Sequence, residues 1–340
     1  MKKFIITLFI VWRISLELIA GIARFILPVR TGFLGPYPWA NFDGVHYLSI
    51  AQNGYFEFQQ AFFPMYPLLM RSIGNTFLNN SYYFAGMAIS NISIIGCLFL
   101  IWKLAEQVRI EGKKLTNEQI KQTLIFLMFA PTGFYFGSVY TESFFLLLTL
   151  LSFYFLAHNQ KILFGISASI ASATKVIGAL LLVPIGLIAY MLFLWQRYHD
   201  PLLFLHAQPA FGSNRSGGEL IFLPQVYWRY LKILFTVPLV QYDYWIALYE
   251  LFMFHAALFL LWLSWKKKLP EKWIWFSLAA IISPTLTGSL SSMPRYVLAA
   301  FPIFFILGSL KGWARKIALG ISLSLFIIST VLFTRGYWIS

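Results

Sequence analysis

The stretch "WANFDGVHYLSIAQNGY", Trp39 to Tyr55, sets a carboxylate, Asp43, and an imidazole, His46, into a chain that is otherwise close to continuous hydrocarbon. Further polar groups recur in apolar surroundings: Tyr140 and Glu142 in "YTES", Lys175 in "SASIASATKVIGALLL", and Arg295 with Tyr296 in "SSMPRYVLAAFP". A charge in hydrocarbon is costly unless it is paired or lines a polar cavity, so each of these positions is a candidate for function. Together they offer a base, a second carboxylate and two cations, one of them the planar guanidinium suited to phosphate or carboxylate. A carboxylate beside a helix N-terminus is favoured in the ionised form a base needs, and Lys175, as a buried ammonium, needs an anion.

Each residue also has a plainer reading. Asp43 precedes Val45, Leu48 and Ala51 at helical spacing, so it could be only an N-cap. Glu142 could cap the helix that follows it, and Lys175 could do no more than pair with Glu142. Arg71 ends "AFFPMYPLLMR", which Pro64 and Pro67 mark as a stiff turn or re-entrant segment, and it could snorkel instead of meeting a ligand. His206 and Gln208 in "DPLLFLHAQPAF" could be the polar face of an amphipathic segment. The five histidines show no ligand spacing, no D-x-D pair occurs, and the lone Cys97 allows no disulfide within the chain. No cofactor is expected, and a divalent metal is not expected to be obligatory. Nucleotide-driven transport and serine hydrolysis lose support, because a Walker loop and a G-x-S-x-G elbow are both missing.

The elements that must hold these residues are membrane helices. Of 340 residues 59% are hydrophobic and only 11% charged, and the mean hydropathy is +0.72. The fold expected is all-α and polytopic, a single domain over 1–340. About eleven spans are expected, over 4–27, 81–102, 122–139, 141–157, 161–174, 176–195, 229–241, 244–265, 272–290, 296–310 and 316–334. The first reads as a retained helix, since Arg13, Glu17 and Arg24 interrupt it and no cleavage site follows. The net charge of +14 is assigned to cytoplasmic loops beside anionic membrane lipids, not to nucleic acid. The basic loops "KLAEQVRIEGKKLTNEQIK", "WKKKLPEKW" and "KGWARK" then lie inside, and the loop 28–80, with short amphipathic helices, lies outside. "YTES", Lys175, "QYDY" and "SSMPRY" converge on that outer face, whereas span parity puts "YHDPLLFLHAQPAFGSNRSGG" inside, a side that a merged pair of short spans would reverse.

Five segments, "WANFDGVHYLSIAQNGY", "AFFPMYPLLMR", "APTGFYFGSVYTESFF", "DPLLFLHAQPAF" and "SMPRYVLAAFPIF", resemble in order and spacing the PIG-V type of mannosyltransferase. Enzymes of that type add the second mannose of the GPI anchor, and they have bacterial relatives. The resemblance implies a GT-C glycosyltransferase with its catalytic carboxylate in the first extracytoplasmic loop, a polyprenyl-phosphate sugar as donor and a lipid- or glycan-linked acceptor. It matches Asp43 to the family's acidic position, Tyr140 and Glu142 to its Y-[ST]-E element, His206 and Gln208 to H-A-Q, and Arg295 to P-R-Y. On that reading Asp43 would take the hydroxyl proton, and Lys175 with Arg295 would meet the charge on the departing phosphate. Phe42 stands where a Trp usually precedes the acid, and "ATKVIG" replaces the R-S-N-G run of eukaryotic members. With the short chain and sparse loops, this points to a bacterial inner membrane and an acceptor other than the GPI precursor. Two rival readings are a flippase for an anionic lipid-linked substrate, which would show inverted halves, and a non-catalytic scaffold. No inverted symmetry is visible in the sequence.

Overall fold

The computed structural model describes residues 1–30, 37–212 and 215–339. It is 74% helical, and its one sheet among the described residues is a two-stranded hairpin, β1 (Arg109–Ile110) with β2 (Lys113–Lys114). Among the described residues four helices are long and apolar enough to cross a bilayer: α1 (Lys2–Ile26) and, further along the chain, Tyr82–Gln107, Tyr242–Lys266 and Gly312–Thr334. The other expected spans are shorter or broken, so by helix length the count of about eleven is not reached. On α1, Trp12 and Leu16 face the bundle, while Ile6, Ile10, Ile14 and Leu18 point outward, as lipid contact requires.

The first loop folds into α2 (Asp43–Asn53) and α3 (Met65–Phe77). The two prolines do not make a turn. Pro64 immediately precedes α3 and Pro67 lies in its first turn, where a missing N–H costs nothing. The chain then enters α4 (Tyr82–Gln107), about 39 Å long at 1.5 Å per residue. Small residues let its neighbours approach: a Cβ on Gly86 would lie 2.8 Å from Val139 Cγ1. Next, α5 (Asn117–Met128) opens on a capping box in which Gln119 N donates to Thr116 Oγ1 and Thr116 N to Gln119 Oε1. The expected span 122–139 stops there, and Pro131, Gly133 and Gly137 lead through a 3-10 turn into α6 (Glu142–Ala157).

The return helix α7 (Lys161–Ser172) brings Lys175 back beside Glu142. The expected span 176–195 is broken by Leu182, in the left-handed region at φ 63°, and by Pro184, from which α8 (Ile185–Tyr198) starts. A Cβ on Gly178 would lie 2.3 Å from the carbonyl oxygen of Ala171, and one on Gly186 2.2 Å from that of Ser169. Both arms therefore press on the same end of α7, and the segment turns back without crossing. This corrects the parity argument: the chain from 197 onward, including α9 (Leu203–His206), lies on the same side as the first loop. Tyr190 Oη donates to Gln60 O at 2.7 Å, and Phe211 meets the His46 ring at 5.3 Å.

The remaining helices are α10 (Leu223–Thr236), α11 (Tyr242–Lys266), α12 (Glu271–Thr285), α13 (Met293–Tyr296), α14 (Pro302–Ser309) and α15 (Gly312–Thr334). At one end of the bundle the basic loops meet: Lys267 pairs with Glu111 and Arg315 with Glu118, each at 3.4 Å. Asp43, Glu142, Lys175 and Arg295 gather at the other end. There Tyr140 is tied to Ser90, and Tyr66 to Ser90 and Gly86, one to two turns inside the start of α4.

Candidate active site

The residues before Asp43 are held by backbone and aromatic contacts. Val139 N donates to Trp39 O at 2.8 Å, Tyr140 Oη to Asn41 O at 2.8 Å, and Asn41 Nδ2 to Phe333 O at 2.9 Å. Phe42 has φ 55°, a left-handed conformation costly for an aromatic residue, and Asp43 begins α2 directly after it. The plainer N-cap reading does not hold. Asp43 is the first helical residue, and its Oδ2 accepts a 2.5 Å hydrogen bond from Arg295 Nη1.

Arg295 is placed by α13, which Thr132 Oγ1 ties to "APTG" through a 2.8 Å bond to Pro294 O. Its Nε lies 3.3 Å from Glu142 Oε1, and the same oxygen accepts a 2.6 Å bond from Lys175 Nζ. Four charges thus form one chain, Asp43 to Arg295 to Glu142 to Lys175, with no net charge. Tyr135 and Tyr140 present their rings to the Arg295 guanidinium at 5.7 and 5.5 Å, and Tyr296 lies 5.8 Å from Lys175 Nζ. Exposure falls inward, from 17% for the Asp43 side chain to 2% for Glu142. Burial pushes the Asp43 carboxyl up, but Arg295, by charge and hydrogen bond, outweighs it with help from His46 and Arg215, and holds it below the usual carboxylate value. His46 stacks on Phe62 at 4.8 Å, and burial pulls its imidazole below the usual value against the pull of Asp43, which keeps it neutral near pH 7.

Asp43, Tyr140, Glu142, Lys175, Arg295 and Tyr296 are therefore brought together, with His46 one helical turn from Asp43. Arg71 is not. Its Nε and Nη2 donate to Ala51 O and Ile50 O, at 2.6 and 3.1 Å, and so satisfy carbonyls at the end of α2. His206 pairs with Asp200 at 2.6 Å on a half-exposed surface and makes no contact with the four charges among the described residues. Gln208 enters indirectly, by accepting a 3.3 Å bond from Arg215.

Two groups escaped the sequence reading. Arg215, from the segment that parity placed inside, reaches Ser291 and Ser292 at 3.4 and 3.3 Å. Glu250 is buried in α11, where it accepts a 2.5 Å bond from Tyr230 Oη, whose oxygen also accepts from Leu290 N at 3.0 Å. A lone acid in the run 244–265 was the signal for the second. Arg215 had none, since it stands in a polar stretch.

Fold and site together define a polytopic membrane protein with a buried ionic site at one end of a helical bundle. Residues 32–230 match the family of mannosyltransferases described as Mannosyltransferase (PIG-V), and the chain belongs to that family. It is with that family a membrane glycosyltransferase of the mannosyltransferase kind. No curated protein and no solved structure matches the chain. The matched residues include Asp43, Glu142, Lys175 and Arg215, and end before Arg295.

Proposed function

We propose that the chain, as one GT-C-like domain in a bacterial plasma membrane, moves mannose from a polyprenyl-phosphate donor to a hydroxyl of a lipid- or glycan-linked acceptor. The reaction lies on the extracytoplasmic side. The observation that carries this reading is Asp43, held ionised by Arg295 at one end of a chain of charges whose middle members, Arg295 and Glu142, are buried. The acceptor oxygen attacks C1 of mannose opposite the phosphate. The C1–O bond breaks with its electron pair going to the phosphate, the configuration inverts, and the hydroxyl proton passes to Asp43. A carboxylate of lowered pKa is a weak base, yet it suffices here. As the new bond forms the attacking oxygen becomes strongly acidic, so the proton moves late and downhill. Lys175 and Arg295 do not stand ready for the phosphate as expected, since Glu142 and Asp43 already occupy them.

The assay is consumption of polyprenyl-phosphate mannose by the purified protein in a lipid extract that supplies acceptors. Release of polyprenyl phosphate above the protein-free rate is expected, and none would remove the donor assignment. Sidedness has a separate test, because the single cysteine, Cys97, is buried and leaves a quiet background. A cysteine at exposed Gln52 should react with an impermeant reagent in intact cells, and one at exposed Lys113 only after permeabilisation. The opposite pattern would invert the topology.

A further inference from the structure

One cation of the site, Arg215, makes no ion pair among the described residues. Arg295 and Lys175 are paired with Asp43 and Glu142, whereas Arg215 has only the more distant charges of Asp43 and Glu250 in range and none within 4 Å among the described residues. Its fork is held by neutral groups alone, Gln208 Oε1 at 3.3 Å, Ser291 Oγ at 3.4 Å and Ser292 Oγ at 3.3 Å. These are long contacts, weaker than the 2.7 to 2.9 Å bonds, roughly, that a guanidinium makes to an anionic oxygen. Ser292 Oγ is shared, for Arg295 Nη2 also donates to it, at 3.5 Å. Two guanidinium groups thus converge on one hydroxyl, next to the carboxylate assigned as base, and only one of them, Arg295, makes an ion pair among the described residues. Ser292 itself is held at φ 68°, a left-handed conformation that costs a serine free energy and that the packing around it must impose.

We propose that Arg215, with the hydroxyls of Ser291 and Ser292, binds the phosphate of the lipid-linked donor. The proposal rests on the mannosyl-transfer reading above. An anionic phosphate oxygen replaces the long contacts of Arg215 by short charge-assisted ones, and the serines donate to the same group once their oxygens are released. The placement also serves the reaction. When C1–O breaks, the phosphate changes from a diester of charge −1 to a monoester approaching −2, and a cation fixed beside the leaving oxygens stabilises that change. Arg295 is left to hold Asp43, and the two guanidinium groups divide the work: one keeps the base ionised and the other receives the leaving group.

The test uses the full-length protein in detergent with undecaprenyl monophosphate, the product without its sugar, read by quenching of intrinsic tryptophan fluorescence, together with donor kinetics. Arg215→Gln is expected to weaken undecaprenyl monophosphate binding by about tenfold or more, and to raise the donor KM by a similar factor. The acceptor KM and the melting temperature should stay at wild-type values. Arg215→Lys should recover part of the loss, because it keeps the charge without the planar fork. Inorganic phosphate should displace the lipid weakly from wild type; displacement as strong as that by the lipid phosphate itself would instead assign the site to free phosphate. Equal affinity of wild type and Arg215→Gln for undecaprenyl monophosphate overturns the proposal. If wild type binds it and Arg215→Gln does not, while no mannosyl donor is consumed, the phosphate site stands and the transfer reading fails. If donor is consumed equally well by both, the reverse holds.

Discussion

Asp43→Asn should lose at least about a hundredfold of turnover, the effect of removing a positioned base, while the protein stays folded and inserted. An amide cannot take the acceptor proton, but its oxygen can still accept from Arg295 Nη1, now at 2.5 Å from Asp43 Oδ2. Arg295 also keeps Glu142 at 3.3 Å, so the stability cost should stay near that of weakening one charged hydrogen bond, about 1.5 to 3 kcal/mol. The variant is best assayed beside its melting temperature in detergent. Near-normal turnover would refute the base assignment. The wild-type pH profile gives a second reading of the same residue. Because the folded carboxyl lies below its usual value, its contribution to stability is complete above about pH 4, the unfolded value, and is lost only as pH falls through the lower folded one. For the same reason Asp43 should impose no acid limb on kcat/KM above about pH 5, whereas Asp43→Asn should be low throughout.

Arg295→Gln should cost stability first. It leaves Glu142, 2% exposed, with Lys175 alone, and Asp43 with no ion pair among the described residues and only the more distant charge of Arg215. Breaking a buried ion pair by removing one partner costs about 3 to 5 kcal/mol, because the other charge stays desolvated. A lower melting temperature, with turnover largely lost, is therefore expected. Arg295→Lys should not restore either, since one ammonium cannot reach both carboxylates with the geometry of a guanidinium fork. Adding Glu142→Gln to Arg295→Gln returns the group to zero net charge, so the double variant should be more stable than the two separate losses imply. Strict additivity in that cycle, or a wild-type melting temperature for Arg295→Gln, would mean that the chain of charges is not what holds this end of the bundle.

Much of this protein was legible in its sequence. Apolar runs of span length with sparse charges dictate a helical membrane protein, because lipid leaves the backbone no other way to satisfy its own hydrogen bonds. Asp43, Glu142, Lys175 and Arg295 stand out for a related reason: the cost of an ionised group in hydrocarbon depends on its immediate neighbours, and those are printed beside it. Four of the five ordered segments lie within the residues that match the family. The pairing of the charges was another matter. Asp43 and Arg295 are 252 positions apart, and no local pattern says that this guanidinium, and not Lys175, meets that carboxylate. Nor could hydropathy show that 176–195 turns back at Leu182 and Pro184, since a folded-back pair of short arms and a single crossing have the same composition. That one turn brought Arg215 to the site and reversed the side that span parity alone assigns, while side-chain reach took Arg71 to the end of α2 and His206 to Asp200. Composition and period set what must be buried in lipid or protein; which charges then neutralise one another is decided only where distant segments converge and desolvation forces each group to find a partner.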